Sequence, residues 1–132
     1  MTNAALARAG YDRSAKTTSS PRAIEFHLFS RFTTALVTAE KHRHNDNPGY
    51  VTALSDNLKL WTSIGAAVSS NENGLTPELR QAIFELFVFT RAHTNRLLAG
   101  DSDITTEALV EINRNIMAGL RRQFSSDKSE QS

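Results

Sequence analysis

Residues 76–100 read TPELRQAIFELFVFTRAHTNRLLAG, and this stretch decides the fold class. Thr76 is suited to cap a helix, because its hydroxyl can accept from an unpaired backbone N–H of the first turn. Pro77 follows at the first helical position, where its missing N–H is no loss. Gly100 is the matching stop, since glycine readily takes the left-handed conformation that ends many helices. Between these signals Leu79, Ile83, Leu86, Phe87, Thr90 and Leu97 recur at three- and four-residue spacing, which gathers them on one helical face.

The same pattern extends outward in both directions. Ser20 and Pro21 repeat the cap-then-proline start, and the helix they open runs to about His42 with Ile24, Leu28, Phe32, Ala35 and Ala39 on one face. Residues 45–49 break the chain, with Pro48 and Gly49 as punctuation. A helix from about Tyr50 to Ser69 carries Tyr50, Leu54, Leu58, Trp61 and Val68 on a shared face. Another begins at 103–106 and runs to about Phe124, with Leu109, Ile112, Ile116, Met117, Leu120 and Phe124 as its stripe. A weaker N-terminal helix spans about Ala4 to Lys16, weakened by Gly10 at about 1 kcal/mol relative to alanine. These elements predict an all-α fold, a compact bundle of about five helices, in one domain over residues 1–124. The polar residues 125–132 read as a disordered tail.

Composition narrows the function. The 132 residues include no cysteine, so disulfides, thiolate metal sites and thiol nucleophiles are excluded. The formal net charge of +1 gives no basic surplus for nucleic acid. Neither a signal peptide nor an apolar run of membrane-spanning length is present, so the expected location is the cytoplasm. No phosphate-binding glycine loop, nucleophile elbow or kinase signature occurs. His42 and His44 are two residues apart, point to different sides of a helix, and sit in a cationic run, Lys41 to His44, that complements a helix C-terminus. Glu107 and Glu111 read as a solvated charged face, and Arg121–Arg122 as a helix-end feature. No catalytic, cofactor-binding or metal-ligating residue is assigned, and the protein reads as non-enzymatic.

Two features remain. Asn57, His93 and Asn113 fall inside apolar stripes, where an amide or imidazole must find partners. They either share one polar network that fixes helix register or bond separately to backbone or water. Bulky apolar residues also appear on second faces: Phe26 and Val37 on the helix that starts at Pro21, Phe84 and Val88 on the helix that starts at Pro77, with Phe29 and Phe89 at the margins. A helix apolar on two sides is either central or sticky. An amphipathic partner helix laid in a groove between these two helices would use Phe26, Phe29, Phe84 and Val88.

The ordered set of motifs resembles the FlaF family. It comprises Ser20-Pro21-Arg22-x-x-Glu25 followed by Leu28, Arg31, Thr33 and Leu36, with Tyr11 and Ala15 before it. Then come Asn57-x-x-Leu60-Trp61-Thr62, His93-Thr94 and Ile112-Asn113-Arg114-x-Ile116-Met117-x-Gly119-Leu120. The resemblance covers about Tyr11 to Leu120. It implies a small flagellar biosynthesis factor that binds flagellin and supports its synthesis, secretion and filament assembly in the manner of a chaperone. The alternative it implies is a regulator of flagellin translation acting with or against FlbT. It suggests no cofactor and no catalytic residue. Arg22 and Glu25, three residues apart, suggest a local ion pair.

Overall fold

The computed structural model describes residues 21–70 and 74–131, with the backbone alone at 21–25 and 123–131. Among these residues every regular element is a helix: α1 (Pro21–Lys41), α2 (Asn47–Val68), α3 (Pro77–Leu98) and α4 (Glu107–Gln131). The expected helix at 4–16, the Ser20 cap, the Arg22–Glu25 ion pair and the end of the tail lie outside the described residues or side chains.

Local chemistry explains the boundaries. Asp46 caps α2, its carboxylate accepting from Gly49 N–H at 3.0 Å. Asn47 and Pro48 therefore belong to the first turn of α2, three residues earlier than the sequence suggests. Proline there loses no hydrogen bond, so it opens this helix instead of interrupting the chain. Thr76 caps α3 by accepting from Leu79 N–H at 3.2 Å. Gly100, at φ +92°, ends that helix as expected, and Asp101 N–H closes back onto Arg96 C=O at 3.1 Å. The backbone of α4 continues past Phe124 through the polar residues to Gln131, where a disordered tail is expected from composition. No glycine or proline stands there to stop it.

The four helices form a ring. α1 packs on α2 and on α4, and α2 packs on α3, while α3 and α4 make little backbone contact. The core has two parts. One gathers Leu36, Tyr50, Ala53, Leu54, Leu97, Leu109 and Val110. The other is an aromatic cluster of Phe29, Trp61 and Phe87, with half-buried Ile83, Leu86, Ile112, Ile116, Met117 and Leu120 against it. The buried face of α1 is centred on Phe29, Thr33 and Leu36, one position round from the face read in the sequence. The shift follows from α1 serving two neighbours, so Leu28, Phe32 and Ala35 become half-buried shoulders. Leu79 of α3 is exposed, although it lies in the apolar stripe of that helix.

Polar side chains cross the interior. Asn113 of α4 donates from Nδ2 to Asn57 Oδ1 of α2 at 2.8 Å, and its Oδ1 accepts from Trp61 Nε1 at 2.9 Å. All three side chains are fully buried. His93 is not part of this network. Its Nε2 donates to the backbone C=O of Thr105 at 2.7 Å, tying α3 to the approach of α4. Of the two sequence readings, the shared network holds for the asparagines, and the separate backbone bond holds for the histidine.

At Gly65 the α2 and α3 helices approach so closely that a Cβ would meet the Phe87 ring at 2.7 Å. Two outcomes follow. Asn113→Leu keeps the branched shape but strands Trp61 Nε1 and Asn57, and should destabilise by about 1–3 kcal/mol for each stranded group in urea unfolding. Gly65→Ala gains about 1 kcal/mol of helix propensity, yet should lower stability by about 1–3 kcal/mol through overpacking. The loss should shrink in a Phe87→Leu background, where the ring is gone.

Candidate interaction surface

The two flanks of α3 are set by its neighbours. Phe87 lies over Gly65 and marks the side facing α2, while His93, bonded to Thr105, marks the side facing α4. At about 100° per residue, Phe84, Val88 and Leu98 fall on the outer flank beside α2. All three are exposed, Phe84 by 40% and Val88 by 39%. Phe84 stands edge-on to Phe87 with ring centroids 5.7 Å apart, so its position is braced by the core while its outer face meets water. Val51 of α2, also exposed, extends the strip near Leu98. Arg91 lies between, its guanidinium 5.3 Å from the Phe87 ring centroid.

The structure separates the four residues that the sequence grouped as a partner surface. Phe84 and Val88 are together on α3. Phe29 is not available: it is 3% exposed and packs edge-on against Trp61 at 5.8 Å. Phe26 is half-buried under the Arg121 guanidinium, 5.4 Å from its ring centroid, where α1 meets α4. The expected groove between α1 and α3 does not form, because those helices occupy opposite corners of the ring. Asn57, Trp61 and Asn113 are interior, and His93 is nearly so. Pro21, Arg22 and Glu25 fall in the first turns of α1, where only the backbone is described. Leu98 and Val51 were missed by the sequence reading. The signal for Leu98 was present, since 84, 88, 91, 95 and 98 form one stripe, but Arg91 and Asn95 interrupt its hydropathy.

The model of the family described as "Flagellar protein FlaF" matches residues 7–120. The chain belongs to the FlaF family. A search of curated proteins and a search of solved structures each give no significant match. The FlaF match takes in all of α1, α2 and α3 and α4 as far as Leu120, so both core clusters and the exposed strip lie within it.

The end of this FlaF-family bundle at which the strip reaches Leu98 and Val51 is held by charge. Arg43 donates to Glu40 Oε2 at 3.2 Å and to Ile104 C=O at 3.1 Å, and its guanidinium lies 5.1 Å from the Tyr50 ring centroid. Glu40 Oε1 accepts from Thr106 N–H at 2.7 Å, and Thr106 Oγ1 donates to Leu36 C=O at 3.3 Å. A cavity of about 220 Å³ lies beside them, lined by Arg43, His44, Tyr50, Leu97 and Ser102 among others. Its chemistry is poor for a ligand, because Arg43 is committed to the α3–α4 loop and the Tyr50 hydroxyl is sealed from solvent without a partner among the described residues. Among the described residues no three His, Asp or Glu side chains are grouped to hold a metal. No helix among them is long and apolar enough to cross a membrane.

Burial pushes the Tyr50 hydroxyl above its ordinary value, with Arg43 partly opposing the shift. The folded state therefore favours the neutral phenol. Its contribution is intact below about pH 10, the unfolded value, and is lost as pH rises through the higher folded value. Tyr50→Phe removes a hydroxyl buried without a partner among the described residues, so it should raise stability near neutral pH by about 1–3 kcal/mol and reduce the alkaline loss, as read by urea midpoints across that pH range.

Proposed function

We propose that this FlaF-family protein is a non-enzymatic cytoplasmic factor that binds flagellin and supports its synthesis, secretion and assembly, as a chaperone does. The observation that carries the reading is the exposed apolar strip of Phe84, Val88 and Leu98 along α3. Large apolar side chains repeated at helical spacing on an outer face suit the apolar side of an amphipathic helix. Flagellin, with its long helical termini, offers such a segment. The strip is braced from beneath by Phe87, so little side-chain order has to be acquired on binding. The formal charge of +1 argues against direct binding to messenger RNA.

Calorimetry of the purified protein with flagellin tests this. Phe84→Asp with Val88→Asp should abolish most binding while circular dichroism shows the bundle intact, because both positions are exposed. Retention of full affinity by that folded variant would move the site off α3. Absence of binding by the unaltered protein would overturn flagellin binding and favour action through FlbT.

A further inference from the structure

Among the described residues every exposed large apolar side chain except Val51 lies on α3. The outer face of that helix is also patterned about its own midpoint, which docking a foreign helix does not require. Phe84 and Leu98, on the flank beside α2, are centred on position 91. Glu85 and Arg96 lie at the outward face and the flank nearer α4, as do Phe89 and Ala92, and both of these pairs are centred between positions 90 and 91. The three centres agree to half a residue, or about 1 Å along the helix axis. All six residues are exposed.

We infer that the outer face of α3 is an interface between two copies of this chain, related by a two-fold axis that crosses α3 beside Arg91 and sets the two helices antiparallel. Such an axis lays like flank against like flank and exchanges the two members of each pair. Phe84 of one copy then meets Leu98 of the other, Phe89 lies on Ala92, and Glu85 meets Arg96, each contact being made twice. The charges are therefore complementary in this arrangement. A parallel pairing would instead oppose Glu85 to Glu85 and Arg96 to Arg96. Arg91, the charge nearest the axis, lies over the Phe87 ring of its own chain, and Ala92 beside it lets the two backbones approach. Arg96 is paired with Asp101 yet 58% exposed, so its outer edge is open to a second carboxylate. The interface covers apolar surface that would otherwise face water. It does not rest on the flagellin reading.

Sedimentation of the full chain, with no flagellin present, tests this. The unaltered protein should show a monomer–dimer equilibrium. Glu85→Arg and Arg96→Glu should each weaken dimerisation by about tenfold or more, because each homodimer then carries two like-charge contacts. An equimolar mixture of the two variants should dimerise as the unaltered protein does, since every contact again joins opposite charges. Loss of fold cannot produce that rescue. The chain has no cysteine, so Ala92→Cys should oxidise to a covalent dimer, whereas Gln81→Cys, also exposed but about 14 Å from the axis, should not. A monomer even at millimolar concentration, a dimer indifferent to both reversals, a mixture no tighter than its components, or a disulfide formed by Gln81→Cys would each overturn the proposal and leave flagellin binding untouched.

Discussion

The hydrogen bonds through Asn113 are the constraint on which the arrangement of helices depends. Apolar stripes alone allow one helix to slide or rotate against another at little cost, because leucine and isoleucine are interchangeable partners. An amide that must give one bond to Asn57 and take one from Trp61 permits a single register between α2 and α4. Those helices are diagonal in the ring, so the contact also sets the width of the interior. The thrifty use of polar groups does not extend to every one of them. The hydroxyls of Thr33, Thr90 and Thr94 and Nδ2 of Asn57 are buried without a partner among the described residues, each a cost of about 1–3 kcal/mol. The interior thus favours one defined arrangement over maximal stability.

What the sequence disclosed was governed by the range of the interaction responsible. Capping by Thr76 and termination at Gly100 act within four residues, and both were legible. Asn57 and Asn113 were legible as buried because they interrupt long apolar stripes, and two amides facing inward have few alternatives to each other. For His93 the sequence leaves network and backbone equally open, since nothing local to it reveals that Thr105 passes within reach. The rotation of the α1 face had the same origin. Its burial is the sum of two contacts, with α2 and with α4, and periodicity reports only an average direction. Phe29 was therefore placed at a margin when it belongs to the core beside Trp61.

Arg43 illustrates the converse case, an important residue hidden in a familiar pattern. Lysine, arginine and histidine at the end of a helix complement its dipole, and that explanation was sufficient for the whole run Lys41 to His44. In the folded chain Arg43 reaches backbone carbonyls some sixty residues away while Glu40 holds the amide of Thr106. The α3–α4 connection is thereby pinned to the end of α1. No spacing rule exposes such a contact, because both partners are distant in sequence and one of them is main chain.

The clasp around Arg43 makes the bundle unequal along its axis. At that end, side-chain hydrogen bonds join the α1 terminus to the α3–α4 loop, and His93 adds another between α3 and that loop. At the far end the described contacts between helices include the ring edges of Phe29 and Trp61 and a guanidinium over Phe26. Local opening is governed by such differences, so amide exchange should be slowest near Thr106 and fastest toward the start of α1 and the end of α4. A ligand helix lying along α3 would span this gradient, anchored where the protein is already rigid and ordering it where it is not. Part of its binding energy would then appear as protection of amides it never touches.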